Sequence, residues 1–266
     1  MKAFVIDLGI CNGCYACQIG CKDEHVANDW TPYAKPQPDV GQFWIKIHEE
    51  VRGTVPKVKV AYRPHLCHHC GHCIDTCRFD AIYQREDGLV IIDPEKCTGC
   101  KLCVSACPYD AIYFNVDANI AQKCTGCAHL IDDGWTLPRC ADNCPTEAIK
   151  FGEEEDLADL IAQAEVIKPE LGLKTRVYYL NIMKRFIAGT VYCPEEKEVV
   201  IGAKLTLTDE KGQTRTLETD HFGDFWFKDL EENAKYTLKI EKDGKVKVFE
   251  DICTEKDVNL GDIPLT

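Results

Sequence analysis

Cysteine thiolates at fixed short spacings are the residues in this chain best suited to chemistry. Cys11, Cys14, Cys17 and Cys21 have the spacing C-x2-C-x2-C-x3-C. So do Cys67, Cys70, Cys73 and Cys77, and again Cys97, Cys100, Cys103 and Cys107. A fourth set is stretched in its middle: Cys124 and Cys127, a 12-residue insertion, then Cys140 and Cys144. Sixteen of the 18 cysteines fall into these four sets. Three thiolates on a tight loop can each hold one iron of a [4Fe–4S] cube. The fourth, further along the chain, points away and ligates the other cluster of a pair. Structural zinc needs two separated ligand pairs and is overfilled by this spacing. A disulfide framework suits short secreted chains, not this one.

The spacing predicts four [4Fe–4S] clusters. With the two central motifs taken as one compact ferredoxin unit and the outer two as a second, the cluster shells are Cys11, Cys14 and Cys17 with Cys144; Cys124, Cys127 and Cys140 with Cys21; Cys67, Cys70 and Cys73 with Cys107; and Cys97, Cys100 and Cys103 with Cys77.

The elements that must position these loops repeat too. "RFDAIYQ" follows Cys77, "PYDAIYF" follows Cys107 and "PTEAIKF" follows Cys144, with an acidic residue, alanine and isoleucine at the same offsets. The repeat predicts a short helix, tolerant of Pro108 and Pro145 in its first turn, leading into a strand. Ile82, Ile112 and Ile149 are expected on the cluster side. Asp87-Gly88 between two β-rich runs predicts a two-residue hairpin turn. "DLADLIAQA" has the apolar spacing of a short amphipathic helix, and Trp44 in "GQFWIKIHEE" is expected in a core. His65, His68, His69 and His72 crowd the second motif; with four thiolates already supplied, they read as solvent-facing loop residues able to tune potential through hydrogen bonds.

From about residue 189 cysteines almost vanish and about seven short β-rich runs follow, separated by turn signals such as "DEKG" and "KDG". The fold class expected is α+β: a duplicated bacterial-type ferredoxin domain over 1–188 (outer unit 1–60 plus 121–188, inner unit 61–120), then an all-β sandwich over 189–266. Cys193 and Cys253 lie outside every motif and are expected as buried free thiols.

With 44 acidic against 31 basic side chains, the chain lacks the positive charge that nucleic acid or an anionic membrane demands. "MKAFVIDLGIC" does not read as a signal peptide, no stretch suits a membrane span, and a reducing, cytoplasmic setting is expected. No hydrolase triad, phosphate-binding glycine loop or paired-carboxylate site is found, so no active site of its own is expected.

The four-motif order, the stretched fourth motif and the tail "IKPELGLKTRVYYL" together resemble the iron–sulfur subunits of dimethyl-sulfoxide-reductase-type molybdopterin oxidoreductases, over residues 1 to about 185. The resemblance implies a pair of ferredoxin domains against a large catalytic subunit holding molybdenum or tungsten on two pterins, with electrons relayed to an external redox partner. "DEHVANDW", "YQREDGLVIIDPEK" and "AQKCTGCAHLIDD" resemble the transhydroxylase branch of that family, which implies hydroxylated aromatic chemistry in the partner. In that branch the third motif is expected to be degraded, whereas here Cys97, Cys100, Cys103 and Cys107 are complete, which favours net electron exchange. The C-terminal "GAKLTLTD", "TDHFGDFWF" and "YTLKI" resemble the transthyretin-like, carboxypeptidase-regulatory family of immunoglobulin-like modules. A non-redox structural subunit and a free polyferredoxin are the alternatives.

Overall fold

In the computed structural model, which describes residues 1–266, the apolar run at the N-terminus forms β1 (Lys2–Asp7), with Ala3, Phe4, Val5 and Ile6 all fully buried. A continuous apolar run, not an alternating one, is what a strand covered on both faces requires. After it come α1 (Ala16–Val26), hairpin strands β2 (Ile45–Thr54) and β3 (Lys57–Leu66), the short pair β4 (Ile82–Gln84) and β5 (Val90–Ile92), and α2 (Leu102–Ala106). A second short pair, β6 (Ile112–Asn115) and β7 (Ile120–Lys123), precedes α3 (Ala128–Asp132), α4 (Arg139–Asp142), β8 (Ile149–Glu153), α5 (Ala158–Ile161) and β9 (Val177–Leu180). β1 lies between β8, antiparallel, and β9, parallel. The first strand is therefore held by segments near the end of this part of the chain.

Two compact units divide the chain: Met1–Glu49 with Ala61–Ile182, and Glu50–Val60 with Met183–Thr266. In the first unit, Phe4, Ile6, Trp44, Leu66 and Tyr179 share a core with Cys17, Cys21, Cys67, Cys124 and Cys140. A smaller core gathers Ile82, Val90, Ile92 and Ile112 around Cys73 and Cys103. The repeated isoleucines thus lie beside cysteines, Ile149 included, which packs with Cys17, Cys21 and Cys140.

Three local expectations change. No helix follows Cys77, Cys107 or Cys144. Asp80, Asp110 and Glu147 instead adopt left-handed φ of 49°, 51° and 52° in turns that lead directly into β4, β6 and β8. Aspartate tolerates that conformation, and the next residue, Ala81, Ala111 or Ala148, is 1 % exposed. The repeat is a turn signature followed by a small buried residue. The Asp87-Gly88 hairpin is longer than two residues: Gly88 N–H donates to Arg85 C=O, Arg85 N–H to Leu89 C=O, and Gly88 takes a φ of 89°. The amphipathic helix shrinks to the four residues of α5, none of them buried.

The second unit holds β10 (Arg185–Cys193), β11 (Glu198–Val199), β12 (Lys204–Asp209), β13 (Thr214–Glu218), β14 (Asp224–Leu230), β15 (Lys235–Lys242), β16 (Lys245–Cys253) and β17 (Val258–Pro264). They form two four-stranded sheets, one with β10 between β14 and β17 plus β11, the other ordered β13-β12-β15-β16. Alternating inward residues, among them Leu205, Leu207, Phe225, Phe227, Leu238 and Ile240, make one core. A boundary at 188/189 would cut β10, and the unit also includes Glu50–Val60, the turn end of the β2–β3 hairpin. Arg52 grips the nearly buried Asp257 carboxylate at 2.7 and 2.8 Å, Lys57 pairs with Asp224, and Asn259 donates to Thr54 C=O at 3.1 Å. Cys193 is buried as expected; Cys253, on the outward side of β16, is exposed, and neither is in a disulfide.

Candidate metal centres

Each motif begins with the same backbone path. The third position takes a left-handed φ in Gly13, His69, Gly99 and Gly126, and the fifth does so in Tyr15, Gly71 and Lys101. At Gly99 a Cβ would lie 2.5 Å from Asn119 C=O, so the tight loop excludes a side chain there. These turns direct successive thiols to one side, and the short helices α1, α2 and α4 carry Cys17 and Cys21, Cys103, and Cys140. Glu24 of α1 clamps α4 through Arg139 at 2.8 Å and also meets His129 of α3 at 3.1 Å. The helices that bear Cys21 and Cys140 are thereby fixed against each other.

The thiols gather in four groups. Burial pushes Cys17 up to about 12, and Cys11, Cys144 and Cys14 beside it add to the rise. Cys144 itself lies below its ordinary value: burial acts upward, but N–H groups of Ile149, Ala148 and Thr146 and the Thr146 hydroxyl outweigh it. Burial, then Cys127 and Cys124, drives Cys21 well up, and Cys140 is raised by burial and the same neighbours plus Cys21 and Cys17. Cys67, Cys70, Cys73 and Cys107 line one pocket with Tyr109 and Ile112. Cys77, Cys97, Cys100 and Cys103 line another with Phe79, Ile82 and Leu102. Burial raises Cys73 to about 12 and Cys103 to about 11, the latter with help from Cys97, Cys100 and Cys77. All sixteen sequence-predicted cysteines are thus brought together, four by four.

Burial holds Cys17, Cys21, Cys73, Cys103, Cys124, Cys127 and Cys140 toward the neutral thiol, a preference that cationic iron would reverse by replacing their protons. Nowhere do three His, Cys, Asp or Glu side chains gather as ligands of one ion, which a mononuclear zinc site requires. Backbone N–H groups of His69, Ala111, Ala121 and Gly126 reach Sγ of Cys67, Cys107, Cys97 and Cys124, each at 3.4 Å. Such bonds stabilise sulfur-borne negative charge and raise a cluster's potential. The donor sets therefore fit [4Fe–4S] clusters. The groups also adjoin one another in order: Cys17 acts on Cys21 and Cys140, Cys67 on Cys124, and Cys103 on Cys73. At the two ends of that order Cys14 and Cys100 are exposed, whereas Cys21, Cys124, Cys127 and Cys140 are all buried.

Of the four histidines expected to face solvent, His72 is exposed and His65 half-buried, but His68 and His69 are each 1 % exposed. His69 Nδ1 accepts the Val90 N–H at 3.0 Å, which fixes a neutral tautomer, and His68 stacks on Tyr109 with ring centroids 3.8 Å apart. Burial pushes His68 down to about 3. Sequence reasoning missed them because a polar ring beside a cysteine loop carries no signal of burial. His25 was also missed; its Nδ1–H donates to Cys21 C=O at 2.8 Å and its ring packs on Trp44. Burial holds His25 down to about 4. An unfolded chain protonates His25 near 6.5 while the folded one refuses the proton, so its contribution is complete above pH 6.5. That contribution is lost as pH falls toward about 4, by ~3 kcal/mol. Denaturant melts of His25→Gln at stepwise pH are expected to show a shallower acid slope than wild type; equal slopes would remove His25 from the acid response.

The fold and its thiol groups define a cluster-binding protein of the ferredoxin kind, and the 4Fe-4S dicluster domain family matches residues 58–154. The chain is 40% identical to the pyrogallol hydroxytransferase small subunit of Pelobacter acidigallici, covering 98% of both chains. It is 35% identical to a tetrathionate reductase subunit of Salmonella typhimurium, over 70% of this chain and 74% of that one. A sulfite dehydrogenase subunit of Allochromatium vinosum is 33% identical over 67% of this chain and 82% of its own. This chain belongs to the iron–sulfur subunits of the dimethyl-sulfoxide-reductase-type molybdopterin oxidoreductases. None of its helices is long and apolar enough to cross a membrane.

Proposed function

We propose that this chain relays electrons through four [4Fe–4S] clusters between a molybdopterin catalytic subunit, holding molybdenum or tungsten, and an external redox partner. The observation that carries the reading is the gathering of sixteen thiols into four adjoining groups whose end members are exposed. The ligands proposed are Cys11, Cys14, Cys17 and Cys144; Cys124, Cys127, Cys140 and Cys21; Cys67, Cys70, Cys73 and Cys107; and Cys97, Cys100, Cys103 and Cys77. Bound there, the clusters supply one-electron redox chemistry. The protein's own residues hold the four sites in sequence, exclude water from the buried ones and donate N–H groups to sulfur. The first unit is read as two ferredoxin-like halves, the second as an immunoglobulin-like, transthyretin-like sandwich serving in docking. A cytoplasmic complex acting on hydroxylated aromatic compounds fits the relative from Pelobacter acidigallici.

That relative also supports a second reading, a small subunit of a hydroxytransferase with no net electron exchange. Anaerobic purification with metal analysis tests the proposal. About 16 iron atoms per chain, with one molybdenum or tungsten on a co-purifying large subunit, is the expected result. About 12 iron atoms, or clusters that never change oxidation state during turnover, would favour the second reading. Iron without a partner or pterin metal would overturn the first.

A further inference from the structure

Lys123, the last residue of β7, is 2 % exposed although it carries an ammonium group. Its Nζ donates to Cys124 C=O at 3.0 Å and to Val90 C=O of β5. Both hydrogen bonds go to backbone carbonyls, and no carboxylate pairs with it. An isolated buried cation is expensive, so a counter-charge is required. Its two acceptors belong to two different groups: Cys124 is itself one of the gathered thiols, and Val90 lines the pocket shared by Cys67, Cys70, Cys73 and Cys107. Cys73 belongs with Cys67, Cys70 and Cys107, and Cys124 with Cys21, Cys127 and Cys140, the two middle groups of the order described above. The strands explain the placement. β5 and β7 come close enough for one side chain to span from Val90 to Cys124, and all four residues of β7 are buried.

We propose that Lys123 is a fixed positive charge set between the two middle cysteine groups, where it raises the reduction potentials of the clusters they hold. The inference rests on the cluster reading above. Reduction places one further electron, and one further negative charge, on a cluster. A neighbouring ammonium in a low-dielectric interior favours that more negative form. The outer groups, around Cys14 and Cys100, have no comparable buried cation in contact.

The test compares the anaerobically purified complex with its Lys123→Gln and Lys123→Met variants, by iron content and by potentiometric titration followed by electron paramagnetic resonance. Glutamine keeps a donor for the two carbonyls without the charge; methionine loses both. In either variant the reduced-to-oxidised ratio of two of the four clusters is expected to fall about tenfold or more at fixed potential, a downward shift of about 59 mV or more for a one-electron couple. The other two midpoints should stay in place, and Lys123→Arg should restore much of the shift. Unchanged midpoints in a fully iron-loaded Lys123→Gln variant would overturn the proposal. So would selective loss of iron from both variants, which would make Lys123 a structural clamp. Absence of cluster signals in the wild-type complex would instead remove the cluster reading itself.

Discussion

Cys144→Ala is expected to abolish the cluster of the first motif while the cluster of the fourth survives. The sequence neighbours of Cys144 suggest the opposite, since it closes the motif that begins at Cys124. In space its thiol stands with Cys11, Cys14 and Cys17; burial acts to raise it, but the Thr146 hydroxyl and the N–H groups leading into β8 hold it below its ordinary value. Removing it takes away a ligand that these hydrogen bonds favour as thiolate. Cys21→Ala is the mirror case and should empty the group of Cys124, Cys127 and Cys140. Each variant should lose about four iron atoms per chain, one cube, and one resolved resonance signal. Should Cys144→Ala instead remove the signal assigned to Cys124, Cys127 and Cys140, the crosswise pairing would be refuted.

Iron removal has the second large effect. Chelation under reducing conditions is expected to unfold the first unit and spare the second. The first unit has two- and three-stranded sheets and, apart from α1, helices of four or five residues, elements with little stability of their own. Its core is partly made of sulfur: Cys17, Cys21, Cys67, Cys124 and Cys140 occupy positions where a closed domain would place leucine or valine. Structural metal in small domains contributes on the order of 10 kcal/mol to folding, and in the cluster reading proposed above it takes the place of a conventional core. The second unit has its own apolar core and no cysteine motif. Hydrogen exchange on the full chain reads both units at once. Amides of Phe4, Val5 and Ile6 should lose protection by about a thousandfold or more after chelation, and those of Leu205 and Leu238 should not. Retained protection at β1 would show that the polypeptide supports this fold without iron.

The cysteine spacing made the thiol groups legible because ligand geometry fixes sequence distance within a loop. The inward isoleucines were legible for a related reason, since a repeat with constant offsets repeats its packing. The turn that follows Cys77, Cys107 and Cys144 was not. An acidic residue before alanine and isoleucine suits a helix start as well as a left-handed turn, and only the backbone at Asp80, Asp110 and Glu147 separates the two. Burial of His68, His69 and Lys123 was hidden for a different cause: each is compensated by a partner distant in sequence, Thr175 for His68, Val90 for His69 and for Lys123. The same holds for Glu50–Val60. Its polar hairpin looks like an exposed turn until Asp224 and Asp257 supply charges for Lys57 and Arg52.

The crosswise sharing of fourth cysteines proposed above would also set a timetable for biosynthesis. As the chain leaves the ribosome, every ligand of the two groups built from the second and third motifs exists once Cys107 has emerged. The first motif, though made earliest, has only three ligands until Cys144 follows, and β1 finds no strand partner before β8. On that pairing the N-terminal segment waits, with apolar β1 and the four thiols of Cys11, Cys14, Cys17 and Cys21, while the middle of the protein can already close. Contacts of such sequence separation form late and leave the waiting segment exposed to oxidation and aggregation. On the proposed pairing, such a nascent chain would gain from an anaerobic setting and from iron delivered in two instalments, the central pair first and the outer pair last.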